Sequence, residues 1–90
     1  MKIKINNKII INKDNPPLII AEISGNHNGS KSRFLKLVKN ACKNGADLIK
    51  IQTYEPGDIT LLKKKNYLKI NHGIWKGKYL KDLYKKACTP

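Results

Sequence analysis

LIIAEISGNHNGSKSRFLKLVKNACKNGADLIKIQTY, residues Leu18–Tyr54, is the stretch that decides the fold. It opens on the apolar run Leu18–Ile23 and closes on a second, Leu48–Thr53, with one charged residue inside each, Glu22 and Lys50. Between them Phe34, Leu35, Val38, Ala41 and Cys42 recur at helical spacing over residues 31–44, and Leu37 widens the stripe. Ser30 offers a hydroxyl for the helix N-cap, but Arg33 stands where a capping box wants Glu or Gln, so the box is half made. Asn44-Gly45 supplies the stop. Strand, crossover helix and strand, with strands this apolar, predict a parallel pair covered by helices.

Outward from this unit the pattern is simpler. KIKINNKIIIN, residues 2–12, alternates Lys and Ile on both sides of Asn6-Asn7 and predicts a β-hairpin around an Asn-Asn turn. Asp14-Asn15-Pro16-Pro17 breaks the pattern, which divides the chain into a hairpin over 1–16 and a main unit over 17–90. After Tyr54, Pro56-Gly57 marks a turn and Lys63-Lys64-Lys65 a solvated loop. Residues 66–75 read as an ordered but irregular excursion anchored by Tyr67 and Trp75. Leu80, Leu83, Tyr84 and Ala87 fit a short helix over Tyr79–Ala87, and Thr89-Pro90 reads as the start of another. Two parallel strands and one crossover helix leave open edges and a naked face. The chain is therefore expected to be part of a larger protein.

The formal net charge is +13, from 19 Lys+Arg against 6 Asp+Glu. Nearly all of the cations are Lys, spread along the chain, and Arg33 is the single arginine. Arginine is the residue that forks onto phosphates and reads bases, so the charge is read as a solvated surface. A small basic nucleic-acid-binding module is the alternative from outside the enzymes. Cys42 and Cys88 have no metal-site spacing, and Cys42, on the apolar side of the helix, reads as a reduced core residue. The start MKIKINNK has no apolar run behind its charges, and no stretch approaches transmembrane length. The expected setting is cytoplasmic, without a membrane partner.

The residues able to do chemistry lie in or just beyond the last halves of the two strands, the end where parallel α/β folds bind ligands. Glu22 in an apolar strand needs a partner, either a ligand or Lys50 on the neighbouring strand. Lys50 offers a compact charge for a phosphate or carboxylate, or a Schiff-base amine; the bland alternative is a lysine snorkelling to solvent. Gln52, two positions on, is expected on the same face. Asn26, His27 and Asn28 sit between Gly25 and Gly29, where backbone amides ahead of a helix can hold an anion, although Asn and Gly are also what tight turns demand. His27 as a metal ligand lacks a partner at suitable spacing, and His72 reads as a loop residue.

PLIIAEISGNHNGS (Pro17–Ser30) and GADLIKIQTY (Gly45–Tyr54) resemble the N-terminal part of the sialic acid synthase (N-acetylneuraminate synthase) family. EPGDITL (Glu55–Leu61) and GIWKGKYLKDLYKKACTP (Gly73–Pro90) resemble its pseudaminic acid synthase branch more than the N-acetylneuraminate or legionaminate ones. The resemblance implies the first two β/α units of a (β/α)₈ TIM barrel, an α/β fold, preceded by the hairpin and incomplete because a barrel needs about 250 residues. It implies condensation of phosphoenolpyruvate with the aldehyde of a 6-deoxy-2,4-diacetamido hexose to a nonulosonic acid plus phosphate. By motif match Glu22 is the catalytic residue, and Lys50, Gln52, Asn26 and His27 bind substrate. A divalent metal, Mn²⁺ or Mg²⁺, belongs to the full-length enzyme with ligands outside this chain, as does a homodimer. The 90-residue chain alone is expected to be inactive.

Overall fold

Ser30 starts the central helix as its hydroxyl dictates. In the computed structural model, which describes all 90 residues, its Oγ accepts the Arg33 amide at 3.2 Å and α1 runs Lys31–Lys43. Asn44 caps the other end and Gly45 takes a left-handed φ of 99°, a conformation that glycine adopts at no steric cost. Phe34, Leu37, Val38 and Ala41, at i, i+3, i+4 and i+7, form the half-buried face. Leu35 and Cys42 lie outside it and are exposed, so the expected core cysteine is a surface thiol. Both cysteines are free.

On either side of α1 run β3 (Ile20–Glu22) and β4 (Leu48–Lys50), paired in parallel with Ile20 opposite Leu48, Ala21 opposite Ile49 and Glu22 opposite Lys50. Asp47 fixes this register. Its carboxylate accepts the Ile19 amide at 2.8 Å, while the Asp47 and Leu48 amides both donate to the Ile19 carbonyl. The last rung is the Ile23 amide on the Lys50 carbonyl at 3.1 Å. Ser24, at φ 51°, then turns the first strand away, so both strands are shorter than the apolar runs that predict them.

β1 (Ile3–Lys4) and β2 (Ile10–Ile11) form a separate antiparallel hairpin. Its turn is wider than an Asn-Asn pair: Ile5 still donates to Ile9, and Asn6 Oδ1 accepts the amides of Lys8 and Ile9, each at 2.8 Å. Past β4, the expected Pro56-Gly57 turn is the opening of a one-turn helix, α2 (Pro56–Ile59), with the Glu55 amide on Asp58 Oδ2. A 3₁₀ turn (Asn66–Leu68) and a looped excursion follow, the latter closed by Ile70 and Lys78 and by Gly77 and Ile70. Helix α3 (Leu80–Ala87) ends the chain.

The result is a small α/β arrangement with short strands and no closed barrel. Only Ile23, Leu68 and His27 are buried. The radius of gyration is 17.3 Å, against about 12 Å for a compact domain of this length. Ile19, Ile20 and Ile51 stay open to solvent, so the apolar strands are covered on one side only. No helix is long and apolar enough to cross a membrane.

Candidate functional site

The parallel register brings two of the candidate residues together. Glu22 and Lys50 stand opposite each other at the C-terminal ends of β3 and β4, with Lys50 Nζ 3.3 Å from Glu22 Oε1. Both side chains are more than half exposed. Lys50 is thus not buried in its strand, as the apolar residues around it suggest; the face it occupies is uncovered. An ammonium and a carboxylate held side by side and open to solvent can meet an anionic ligand without first breaking out of a core.

Asn26 and Gln52 lie elsewhere, on a cleft of about 850 Å³ between the 24–29 loop, the segment after β4, and α3. Gln52 does not share the surroundings of Lys50. Gln52 lies two residues past the last paired position, Lys50. The cleft is closed from the far side because the Thr89 amide donates to the Gln52 carbonyl at 2.7 Å, folding the end of α3 back over the strand ends. Gly25 permits that approach: a Cβ there would lie 3.2 Å from both Cα and Cβ of Ala87.

Side chains that the sequence pattern leaves unassigned make up much of the cleft wall. Tyr54 donates its hydroxyl to the Tyr84 carbonyl at 3.3 Å, and the two rings meet edge to face at 6.3 Å and 87°. Burial, helped by the neighbouring Cys88 and Tyr84, pushes the Tyr54 phenol above its ordinary value. Trp75 and Lys78 come from the excursion, with Lys78 Nζ 5.3 Å from the centre of the indole, and Lys86 comes from α3. Aromatic surface beside two ammonium groups and three amide side chains, Asn26, Asn28 and Gln52, suits a polar ligand with an anionic group. In the sequence pattern Trp75 is only an anchor of the excursion and Tyr84 only a position on the stripe of α3; that both line one cleft with Gln52 is a long-range arrangement.

His27 is the one candidate wholly removed from solvent. Its Nδ1 accepts the Gly29 amide at 2.9 Å and its ring meets Phe34 edge-on at 5.9 Å. Its Nε2 is buried without a hydrogen-bond partner, which costs about 1–3 kcal/mol for a polar group left unpaired. Neither nitrogen is available to a metal. His72 pairs with Asn71 in the excursion, and no three His, Cys, Asp or Glu side chains gather closely enough to hold an ion. The residues of this chain do not fit a divalent metal site.

The family model described as the NeuB family matches residues 37–90. The chain is 48% identical over 79 residues to the pseudaminic acid synthase of Campylobacter jejuni, covering 88% of this chain and 23% of that protein. It is 39% identical over 75 residues to the pseudaminic acid synthase of Helicobacter pylori, covering 83% of this chain and 22% of that one. An uncharacterized protein of Methanocaldococcus jannaschii, MJ1065, is 44% identical over 66 residues, 73% of this chain and 19% of its own. The chain therefore spans less than a quarter of the length of these relatives.

Proposed function

The chain belongs to the NeuB family of sialic-acid-synthase-type enzymes, and from that premise we propose that it supplies the first two β/α units of a (β/α)₈ barrel in a pseudaminic acid synthase-like enzyme. The observation that carries this reading is the Glu22–Lys50 pair, opposite in register at the C-terminal ends of two parallel strands. That is the end at which barrel enzymes place their chemistry. The identity to pseudaminic acid synthases favours that branch over N-acetylneuraminate or legionaminate synthesis.

In the proposed reaction C3 of phosphoenolpyruvate forms a bond to the aldehyde carbon of a 6-deoxy-2,4-diacetamido hexose. Water adds at C2, and phosphate leaves with cleavage of the C–O bond. Lys50, a compact cation with three donors, receives the phosphoenolpyruvate anion. Glu22, released from Lys50 by that anion, accepts a proton from the attacking water or faces the sugar. Asn26 and Gln52 each offer an amide that both donates and accepts, which suits hydroxyl and acetamido groups in the cleft. The divalent metal of the family would take its ligands from outside these residues. A cytoplasmic, homodimeric whole enzyme belongs to the same proposal, as does the inactivity of the 90-residue chain by itself.

The test is a chimaera in which residues 17–90 replace the matching segment of the Campylobacter jejuni relative. Release of phosphate from phosphoenolpyruvate that depends on the diacetamido hexose supports the proposal. A folded chimaera that releases none overturns it, and one that prefers N-acetylmannosamine moves the chain to the N-acetylneuraminate branch.

A further inference from the structure

The loop from Ser24 to Gly29 holds both of the chain's non-glycine residues with positive φ. Ser24 at φ 51° and Asn28 at φ 50° both occupy the left-handed region without being glycine. Such backbone persists only where its surroundings over-determine it. Here the surroundings converge on His27. The Gly29 amide donates to its Nδ1 and the Ser30 amide to its carbonyl, while the Asn28 amide closes on Gly25. The ring itself is wedged against Phe34 on α1.

Because Nδ1 accepts a hydrogen bond, it carries no proton, and a neutral ring must then hold its hydrogen on Nε2. That hydrogen is sealed from solvent and touches no ligand-accessible surface. The side chain therefore cannot contact substrate, although its loop neighbours Asn26 and Asn28 both line the cleft. We propose that His27 is a positioning residue: fixed as the Nε2–H tautomer, it locks the 24–29 loop so that Asn26 and Asn28 face the cleft and Ser30 meets the first turn of α1. The locking stands on geometry alone. That the locked loop serves the amino sugar rests on the proposed function.

Two substitutions separate the acceptor from the ring. His27→Phe keeps an aromatic ring against Phe34 and removes the acceptor. His27→Asn gives up the ring but can offer Oδ1 to the amide two residues on, as Asn does in turns. Hydrogen exchange of the 90-residue chain, read over residues 24–30 by mass spectrometry, needs no activity. We expect exchange about tenfold faster in His27→Phe, with α1 unchanged, and protection restored in His27→Asn. Unchanged protection in His27→Phe, or none regained in His27→Asn, would overturn the locking. In an active chimaera, His27→Phe should raise the sugar KM about tenfold with kcat little changed, and His27→Asn should reverse that. A collapse of kcat at constant KM would instead make His27 part of the chemistry.

Discussion

Lys50 Nζ lies 3.3 Å from Glu22 Oε1, and the two residues face each other across the last rung-bearing positions of a parallel ladder. Both side chains are largely in water, so the pair is a weak brace. Exposed pairs of this kind contribute about 0–1 kcal/mol. Lys50→Ala in the 90-residue chain should therefore leave the thermal unfolding midpoint almost unmoved. A drop of many degrees in a calorimetric scan would show that the pair serves the fold.

Tyr54 ties β4 to α3 through its hydroxyl on the Tyr84 carbonyl. Its phenol is raised above the ordinary 10.0, by burial first and then by Cys88 and Tyr84. A raised acid favours its protonated form in the folded chain. That contribution is complete below the unfolded value, about 10, and is lost as pH rises through the folded one. In an ultraviolet titration Tyr54 should appear as a late-ionising component. Tyr54→Phe should remove that late component. A titration curve that Tyr54→Phe leaves unchanged at its alkaline end contradicts the assignment.

Ser30 caps α1 through a single hydrogen bond to the Arg33 amide, without a reciprocal carboxylate. Ser30→Ala should cost about 1 kcal/mol, and Ser30→Asp should keep most of the stability, because either oxygen satisfies the same amide. Denaturant unfolding followed by the helical signal measures both. Equal loss in the two variants would mean that the bond contributes nothing.

Ile19, Ile20, Leu35, Ile51, Leu61 and Leu62 are all exposed, on a chain whose strands are covered on one side. The 90-residue chain on its own is expected to self-associate and to show no synthase activity, since exposed apolar side chains beside open strand edges favour association. Sedimentation that shows a monomer at high concentration would contradict this.

How much of this was legible in the sequence follows from how local each feature is. The helix, its Ser30 cap and its Gly45 stop depend on residues within one turn, and they stand where the pattern puts them. The pairing of Glu22 with Lys50 follows from strand order and register, and it too was readable as one of two alternatives. Exposure was not. Whether Cys42, Leu35 and Lys50 are covered depends on what packs over them, which periodicity does not report. Gln52 lies past the end of β4, and its place on the cleft goes with Thr89 reaching back to its carbonyl, a long-range contact that strand periodicity does not report. The motif match makes His27 a substrate-binding residue, and its burial against Phe34 leaves no mark in spacing.

In the proposed reaction Lys50, at the C-terminal end of β4, receives the phosphoenolpyruvate anion. The direct measurement is initial-rate kinetics of the chimaera and its Lys50→Ala variant, with phosphoenolpyruvate varied at saturating amino sugar. Lys50→Ala should lower kcat/KM for phosphoenolpyruvate by the equivalent of about 2–5 kcal/mol, the scale for removing one partner of a charge pair desolvated in the complex. The same KM and kcat in both proteins would contradict it and leave Lys50 as a surface cation beside Glu22.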